Sequence, residues 1–594
     1  MPGIVQLLVL VALTIAVTPV LGGYMARVFT GRRVLLTPVV GPLERVLLRG
    51  LRVGRDADGQ PAGQTWKAYA KSLLLFSFVS WLGLYLILRT QGLHPWNPLD
   101  LASGTWDLSF NTASSFVTNT NWQYYAGETT LSYFSQMAGL AVQNFVSAAV
   151  GIVVAIALIR GIAARGTGDP KAGPALIGNF WNDLVRALLY VLLPIALIGA
   201  LVLVTQGVVQ TLGGPIDATT LTGATQTIVR GPVASQEAIK LLGTNGGGFF
   251  NVNSAMPFEN ATALSNLVEM LLVLAIPAAL TNTYGRMVGS RRQGWAIFAT
   301  MGVLFLALAV VGTLAEQHGT PVQHALGLTT DAVSGAGNGN LEGKEQRFGV
   351  AGTALFGTVT TSTSTGAVNG AMESLTGLGS LMPMIGLASS EVIFGGVGSG
   401  LYGMLLFVIL AVFVGGLMVG RTPELLGKKI EAREIKLATL GALYMPLTVL
   451  ATTALGVATG HGKVSLFASG PQSFSETFYA YLSQGNNNGS AFAGYTGYVQ
   501  PNGTNDGAFG ITFADLLGGG SMLFVRFFPI VIVLAIAGSL ARKKVVPSGP
   551  GTLRTDSPTF VVLLIGVIVL IGALTFFPAF LLGPVVQALT GHLY

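Results

Sequence analysis

Ten runs of mostly apolar residues divide this chain, near 3–26, 67–89, 134–160, 180–206, 264–285, 294–315, 399–420, 435–458, 520–541 and 559–585. Coiled as helices, runs of roughly twenty residues rise about 30 Å, the thickness of a bilayer's hydrocarbon core. No water reaches amides at that depth, so each run must satisfy its own polar groups as a helix. Of 594 residues 51% are hydrophobic and only 10% charged, whereas soluble domains carry roughly a quarter charged residues. The expected fold class is an all-α integral membrane protein with about ten transmembrane helices, embedded in a lipid bilayer. With no cysteine in the chain, disulfides and thiolate metal sites are excluded. The first run opens without a basic n-region and reads as a retained helix, not a cleaved signal peptide.

The formal charge of +7 is not a nucleic-acid surface, because the basic residues cluster in alternate loops. They gather after run one (Arg27, Arg32, Arg33, Arg45, Arg49, Arg52, Arg55), run three (Arg160, Arg165, Lys171) and run five (Arg286, Arg291, Arg292). They gather again after run seven (Arg421, Lys428, Lys429, Arg433, Lys436) and run nine (Arg542, Lys543, Lys544, Arg554). Every cluster falls on one side, and positive charge marks the cytoplasmic side. A multi-pass chain with both termini on the outer side is expected.

The opposite loops carry four short polar words: Thr118-Asn119-Thr120-Asn121, Gly243-Thr244-Asn245-Gly246, Thr363-Ser364-Thr365-Gly366 and Asn486-Asn487-Asn488-Gly489. Aligned on their last residues, they are spaced by 125, 120 and 123 residues. Each follows a short helix-like run and precedes a long apolar one. Small, uncharged backbone of this kind suits a carbonyl-lined cation filter, in which backbone oxygens replace the ion's hydration shell. Glycine at Gly246, Gly366 and Gly489 admits the positive φ that turns carbonyls inward, and Asn121 is the next most tolerant residue. The hydroxyls of Thr118, Thr244 and Thr363 either add oxygen ligands or cap the preceding helices. Four helix–pore-loop–helix units around a central pore follow, with one extra span at each end. The expected divisions are 1–62 (first span and basic linker), 63–168, 169–290, 291–430 and 431–545 (the four units) and 546–594 (last span).

At these words the chain resembles the A chain of the Kdp potassium-transporting ATPase family. The matching stretches are TNTNWQ (118–123), LLGTNGGGFFNVNSAMPFEN (241–260), TSTSTGAVN (361–369) and QGNNNGSAF (484–492). The resemblance covers essentially the whole chain. It implies the potassium-binding, channel-like subunit of a bacterial high-affinity uptake complex in the inner membrane. It further implies K+ as the transported ion, filter residues at the sixteen positions of the four words, and a P-type ATPase partner with two small membrane subunits.

Two further features bear on transport. Glu128, Glu259 and Glu373 follow the first three words, and either form a cation-concentrating mouth or solvate the outer loops. After the third word the run 380–406 is broken by Pro383 and several glycines, with Glu391 among them. An ionisable group at membrane depth is a functional candidate, and the family has an interrupted helix here. Glu391 with Arg421 is therefore the candidate gate. The basic linker 421–436 reads as an amphipathic docking surface or a headgroup-facing helix.

No phosphate-loop motif occurs, since GNLEGKE (339–345) lacks the hydroxyl residue after Lys344. An Asp-Lys-Thr-Gly phosphorylation word is also missing. No nucleotide site or catalytic residue is expected in this chain, so ATP would be hydrolysed by a partner. The polar words alone leave open a stand-alone channel or an ion-coupled transporter; a membrane scaffold would leave them unexplained.

Overall fold

The computed structural model describes residues 3–57, 59–168, 173–328, 339–418, 420–463, 465–497, 508–547, 549 and 552–590; Lys171 lies outside them. Among the described residues ten helices are long and apolar enough to cross a membrane. The first, α1 (Gly3–Phe29), is followed by a short amphipathic helix, α2 (Thr37–Gly50). A unit of long helix, short helix and long helix then recurs. It runs α3 (Trp66–Arg89), α4 (Trp106–Val117) and α5 (Ser135–Ala163), then α6 (Phe180–Thr205), α7 (Val233–Leu242) and α8 (Ala263–Met287). The third unit has α9 (Arg291–His318) and α10 (Gly349–Ser362), but its last helix is split into α11 (Gly377–Ala388) and α12 (Ser399–Met418). The fourth comprises α13 (Ala432–Ala458), α14 (Gly470–Gly485) and α15 (Ala508–Arg542), and α16 (Pro558–Phe580) follows.

Burial separates inner from outer helices. The most apolar stretches of α5, α8, α12 and α15, the helices that follow the polar words, are 67–83% buried. Those of α3, α6, α9 and α13 are only 22–44% buried, leaving apolar flanks for lipid. The inner helices therefore form a central cluster, which α15 closes by packing on both α4 and α5 of the first unit. Close approach explains a glycine here. A Cβ on Gly151 of α5 would lie 2.1 Å from the Val397 carbonyl oxygen, so the break between α11 and α12 crosses α5 backbone to backbone.

On the basic face Arg160 pairs with Asp183 at 2.5 Å, and Tyr69 donates to the same carboxylate at 3.1 Å, tying α5, α6 and α3 together. Residues 421–436 correct the sequence expectation. They form a two-stranded hairpin, β3 (Glu424–Leu425) and β4 (Lys428–Lys429), before α13 begins, and a separate hairpin, β1 (Ile216–Thr219) with β2 (Thr225–Ile228), precedes α7. Leu426 and Gly427 both take positive φ (50° and 75°), as a two-residue hairpin turn twisted to match its strands demands. Lys428 faces inward, its Nζ donating to the Gly161 and Leu540 carbonyls at the ends of α5 and α15.

Candidate functional site

All four short helices stop in the same way. The third residue of each polar word donates its amide to the carbonyl five residues earlier: Thr120 to Ser115, Asn245 to Lys240, Thr365 to Thr360 and Asn488 to Ser483, at 2.8–2.9 Å. The second residue of each is left-handed, with φ of 71° at Asn119, 47° at Thr244, 52° at Ser364 and 50° at Asn487. A left-handed residue with a six-to-one hydrogen bond is the standard way to end a helix and reverse the chain. Glycine or asparagine usually serves, so Thr244 and Ser364 hold a conformation that costs about 1–2 kcal/mol. Both are fastened by their hydroxyls. Thr244 Oγ1 accepts from Val397 N and donates to the Gly243 carbonyl, each at 2.8 Å, while Ser364 Oγ donates to the Asn486 carbonyl.

These turns bring the four words together. A Cβ on Gly246 would lie 2.5 Å from the Asn488 oxygen and 2.6 Å from the Thr120 oxygen. One on Gly366 would lie 2.0 Å from the Asn488 oxygen and 2.8 Å from Gly246 Cα, and one on Gly489 would lie 2.0 Å from the Thr120 oxygen. Backbone carbonyls occupy the space a side chain would need, which is why glycine stands at three of the four positions. Polar side chains run sideways between the loops. Asn119 donates to the Thr244 carbonyl (2.8 Å), Asn487 to Thr120 Oγ1 (2.9 Å) and Asn488 to the Thr360 carbonyl (2.9 Å). Thr118 and Thr363 cap instead, donating to the Ser114 and Val359 carbonyls at 2.8 and 2.6 Å. Asn121 Nδ2 is bonded to Asn144 Oδ1 on α5.

One expectation shifts by a residue. Asn121, Gly366 and Gly489 take positive φ (60°, 88° and 101°), but in the second loop it is Gly247 (67°), and not Gly246, that does so.

Above the loops opens a cavity of about 540 Å³ lined by Trp122, Gln123, Tyr124, Asn251, Ser490 and Tyr495, with Gly247, Gly366 and Gly489 at its floor. Glycine and alanine supply the largest share of its wall, with aromatic and amide side chains among them and one carboxylate, Glu345, paired with Arg347 at 2.5 Å. The three glutamates do not form a charged rim. Glu259 is fully buried and accepts from Phe250 N at 2.8 Å, Glu128 accepts from Asn251 N at 2.8 Å, and Glu373 accepts from Gly494 N at 2.5 Å. They tie down the loops that leave the polar words. Glu373 also faces Glu476 on α14, whose carboxyl is pushed up to about 8 by burial and by the Glu373 charge.

Below the loops lies the break between α11 and α12, where Ser390, Glu391, Phe394 and Gly398 all have positive φ. A cavity of about 20 Å³, water-sized, is lined there by Glu391, Ser399, Tyr402, Tyr444 and Asn487. The charge facing Glu391 is Arg526 of α15, whose guanidinium donates to the Ser147 carbonyl at 3.2 Å. Arg421 is not its partner. It is exposed beyond the far end of the 20-residue α12 and donates to the Thr552 carbonyl, about 30 Å along the helix from Glu391. The sequence reading overlooked Arg526, although an arginine inside an apolar run is itself the signal.

The sequence has counterparts of known description. Residues 8–589 match the family model described as potassium-transporting ATPase A subunit. A potassium-transporting ATPase potassium-binding subunit from Methylobacterium nodulans is 55% identical over 580 residues, spanning 98% of this chain and 96% of that protein. One from Mesorhizobium japonicum is 53% identical over 587 residues, spanning 99% and 98%. The crystal structure of the potassium transporter TrkH from Vibrio parahaemolyticus superposes with a TM-score of 0.48 at 15% identity, covering 89% of this chain and 97% of that one. With the family model and these relatives extending over nearly its whole length, the chain belongs to the potassium-transporting ATPase A subunit family.

Proposed function

We propose that this chain binds and selects K+ and passes it through the membrane as one subunit of an ATP-driven uptake complex. The observation that carries this reading is the meeting of four equivalent helix stops, which leaves the Thr120 and Asn488 carbonyl oxygens packed against Gly246, Gly366 and Gly489. Such a ring offers uncharged oxygens to a dehydrated cation. The three residues before each of these positions complete it in each word, and Asn121 supplies the fourth corner. The cavity above is the outer mouth; the Glu391 cavity below is the exit checkpoint.

The basic face is the cytoplasmic one, with both termini on the outer side of a bacterial inner membrane. ATP is hydrolysed in a P-type ATPase partner, accompanied by two small membrane subunits. In the complex reconstituted in liposomes, K+ should stimulate ATP hydrolysis and accumulate inside. Gly246→Asp should raise the K+ half-saturation and relax discrimination against other monovalent cations. K+ flux that runs unchanged without ATP would favour a stand-alone channel, and unchanged affinity and selectivity in Gly246→Asp would remove the filter assignment.

A further inference from the structure

One position in the repeated helix stop differs in kind between the four units. The residue whose carbonyl closes the stop is Ser115, Thr360 or Ser483 in three of them, and Lys240 in the second. In the first and fourth units its side chain also braces the far end of the polar word, at the residue just after it or at its last residue. Ser115 Oγ donates to the Trp122 carbonyl and Ser483 Oγ accepts from Gly489 N, both at 3.0 Å. Thr360 makes no such bond among the described residues.

In the second unit the brace is ionic. Lys240 Nζ lies 2.5 Å from Glu237 and 3.2 Å from Glu259, and all three side chains are at most 1% exposed. The other oxygen of Glu259 accepts from Phe250 N at 2.8 Å. Lys240 thus holds both ends of its loop. Its carbonyl accepts from Asn245 N before the polar word turns, and its ammonium, through Glu259, fixes the strand after it.

The second loop needs such a device. Gly246-Gly247-Gly248 is its path, and three consecutive glycines leave the backbone more freedom than any other sequence. A cation path also cannot tolerate an uncovered ammonium beside it, and two carboxylates cover this one. We propose that Lys240 and Glu259 are positioning residues that set the width of the second loop and thereby the discrimination among monovalent cations. This rests on the reading of the four words as the K+ filter.

The intact complex, assayed for ATP hydrolysis stimulated by K+ or by Rb+, tests it. Lys240→Met should raise the K+ half-saturation about tenfold or more, which is at least one power of ten in site affinity. The preference for K+ over Rb+ should fall toward unity while the rate at saturating K+ is retained. Lys240→Arg, which keeps the charge and both carboxylate contacts, should restore most of the preference. Glu259→Gln keeps an acceptor for Phe250 N but breaks the ion pair, and should lose part of it. An assembled Lys240→Met complex with unchanged half-saturation and unchanged cation preference overturns the proposal. Where Lys240→Met does not assemble, Lys240→Ser (the residue type of units one and four) and Glu259→Gln are judged by the same two readouts. Gly246→Asp separates the two ideas. If it alters discrimination and the Lys240 and Glu259 variants do not, the brace is wrong and the filter stands; if none does, the filter falls first.

Discussion

Replacing Gly489 with alanine tests whether the first and fourth loops share one ring. The new Cβ would stand 2.0 Å from the Thr120 carbonyl oxygen, where a carbon–oxygen contact settles near about 3.3 Å. The loops must therefore part by about 1.3 Å or the carbonyl must rotate away. Gly489 also sits at φ 101°, a region that costs a residue with a side chain about 1–3 kcal/mol. Bound K+ would have to hold the ring closed against that strain, so the same energy is subtracted from binding. At 1.4 kcal/mol per factor of ten, the K+ half-saturation should rise about 5- to 150-fold. The measurement is K+-stimulated ATP hydrolysis by the reconstituted complex across a KCl titration. Gly566→Ala on α16 is the control, because its Cβ would meet no heavy atom within 4 Å. It should leave the titration where it is. A Gly489→Ala complex that assembles and keeps its half-saturation within about twofold, under 0.5 kcal/mol, would refute the shared ring.

Glu391→Gln keeps the shape of the group beneath the polar loops and removes its charge opposite Arg526. It should lower the number of K+ moved per ATP, and an unchanged ratio of 86Rb uptake to phosphate release would end the gate assignment. Glu476 titrates at about 8 in the fold against 4.5 in its ordinary range, because it is buried beside Glu373. Its stabilising contribution is complete below pH 4.5 and is lost as pH rises to about 8. Hydrogen exchange in 465–497, corrected for intrinsic pH dependence, should quicken over that range and cease to do so in Glu476→Gln. Asp183→Ala removes the carboxylate shared by Arg160 and Tyr69, leaving them the Phe29 and Val153 carbonyls. Because the Arg160 side chain is 22% exposed and keeps a carbonyl acceptor, a loss of about 2 kcal/mol is expected, as for hydrogen bonds to a charged group, seen as a lower unfolding temperature in detergent.

The ten spans were legible because a helix in lipid answers to a local demand, that each segment bond its own amides. The largest discrepancy in an end is α15, which starts at Ala508 and not near 520, where polar residues diluted the hydropathy. The polar words were legible by composition and spacing, yet not their detailed geometry. Whether Gly246 or Gly247 turns left-handed depends on what the neighbouring loops place against it, and no single loop encodes that. The hairpin at 424–429 was misread because it lies inside a linker, 421–436, whose basic and apolar residues together suggested an amphipathic surface. Its turn signal, a lone Gly427 after Leu426, is weak without the glycine or asparagine usually found at both central positions. Arg421 was paired with Glu391 on the strength of proximity in sequence, which a 20-residue helix between them cancels. Arg526 escaped notice for the opposite reason, since its partners, Ser147 and Glu391, come from other parts of the fold. Lys240 escaped it too, although Glu237 lies one turn away on its own helix, because only the fold shows that this pair is buried against Glu259.

A ring assembled from one polypeptide need not be uniform, and the four loops differ in what fastens them. The first rests on Asn144 through Asn121, and the third and fourth on each other through Ser364 and Asn488. The second is fastened twice. Above, the Lys240–Glu259 pair holds the strand after Gly246; below, Thr244 Oγ1 accepts from Val397 N within the break between α11 and α12. A Cβ on Gly396 would lie 3.4 Å from Glu391 Oε2 and 3.6 Å from Thr244 Oγ1, so the ionisable group in the break and the turn of the second polar word share one wall. Any rearrangement of the break that withdraws Val397 N frees a left-handed threonine, a conformation held at a cost of about 1–2 kcal/mol. The second loop is thus tied to the break by a direct hydrogen bond, while the third and fourth meet it through Ser364 beside Glu391 and through Asn487 in the wall of the Glu391 cavity.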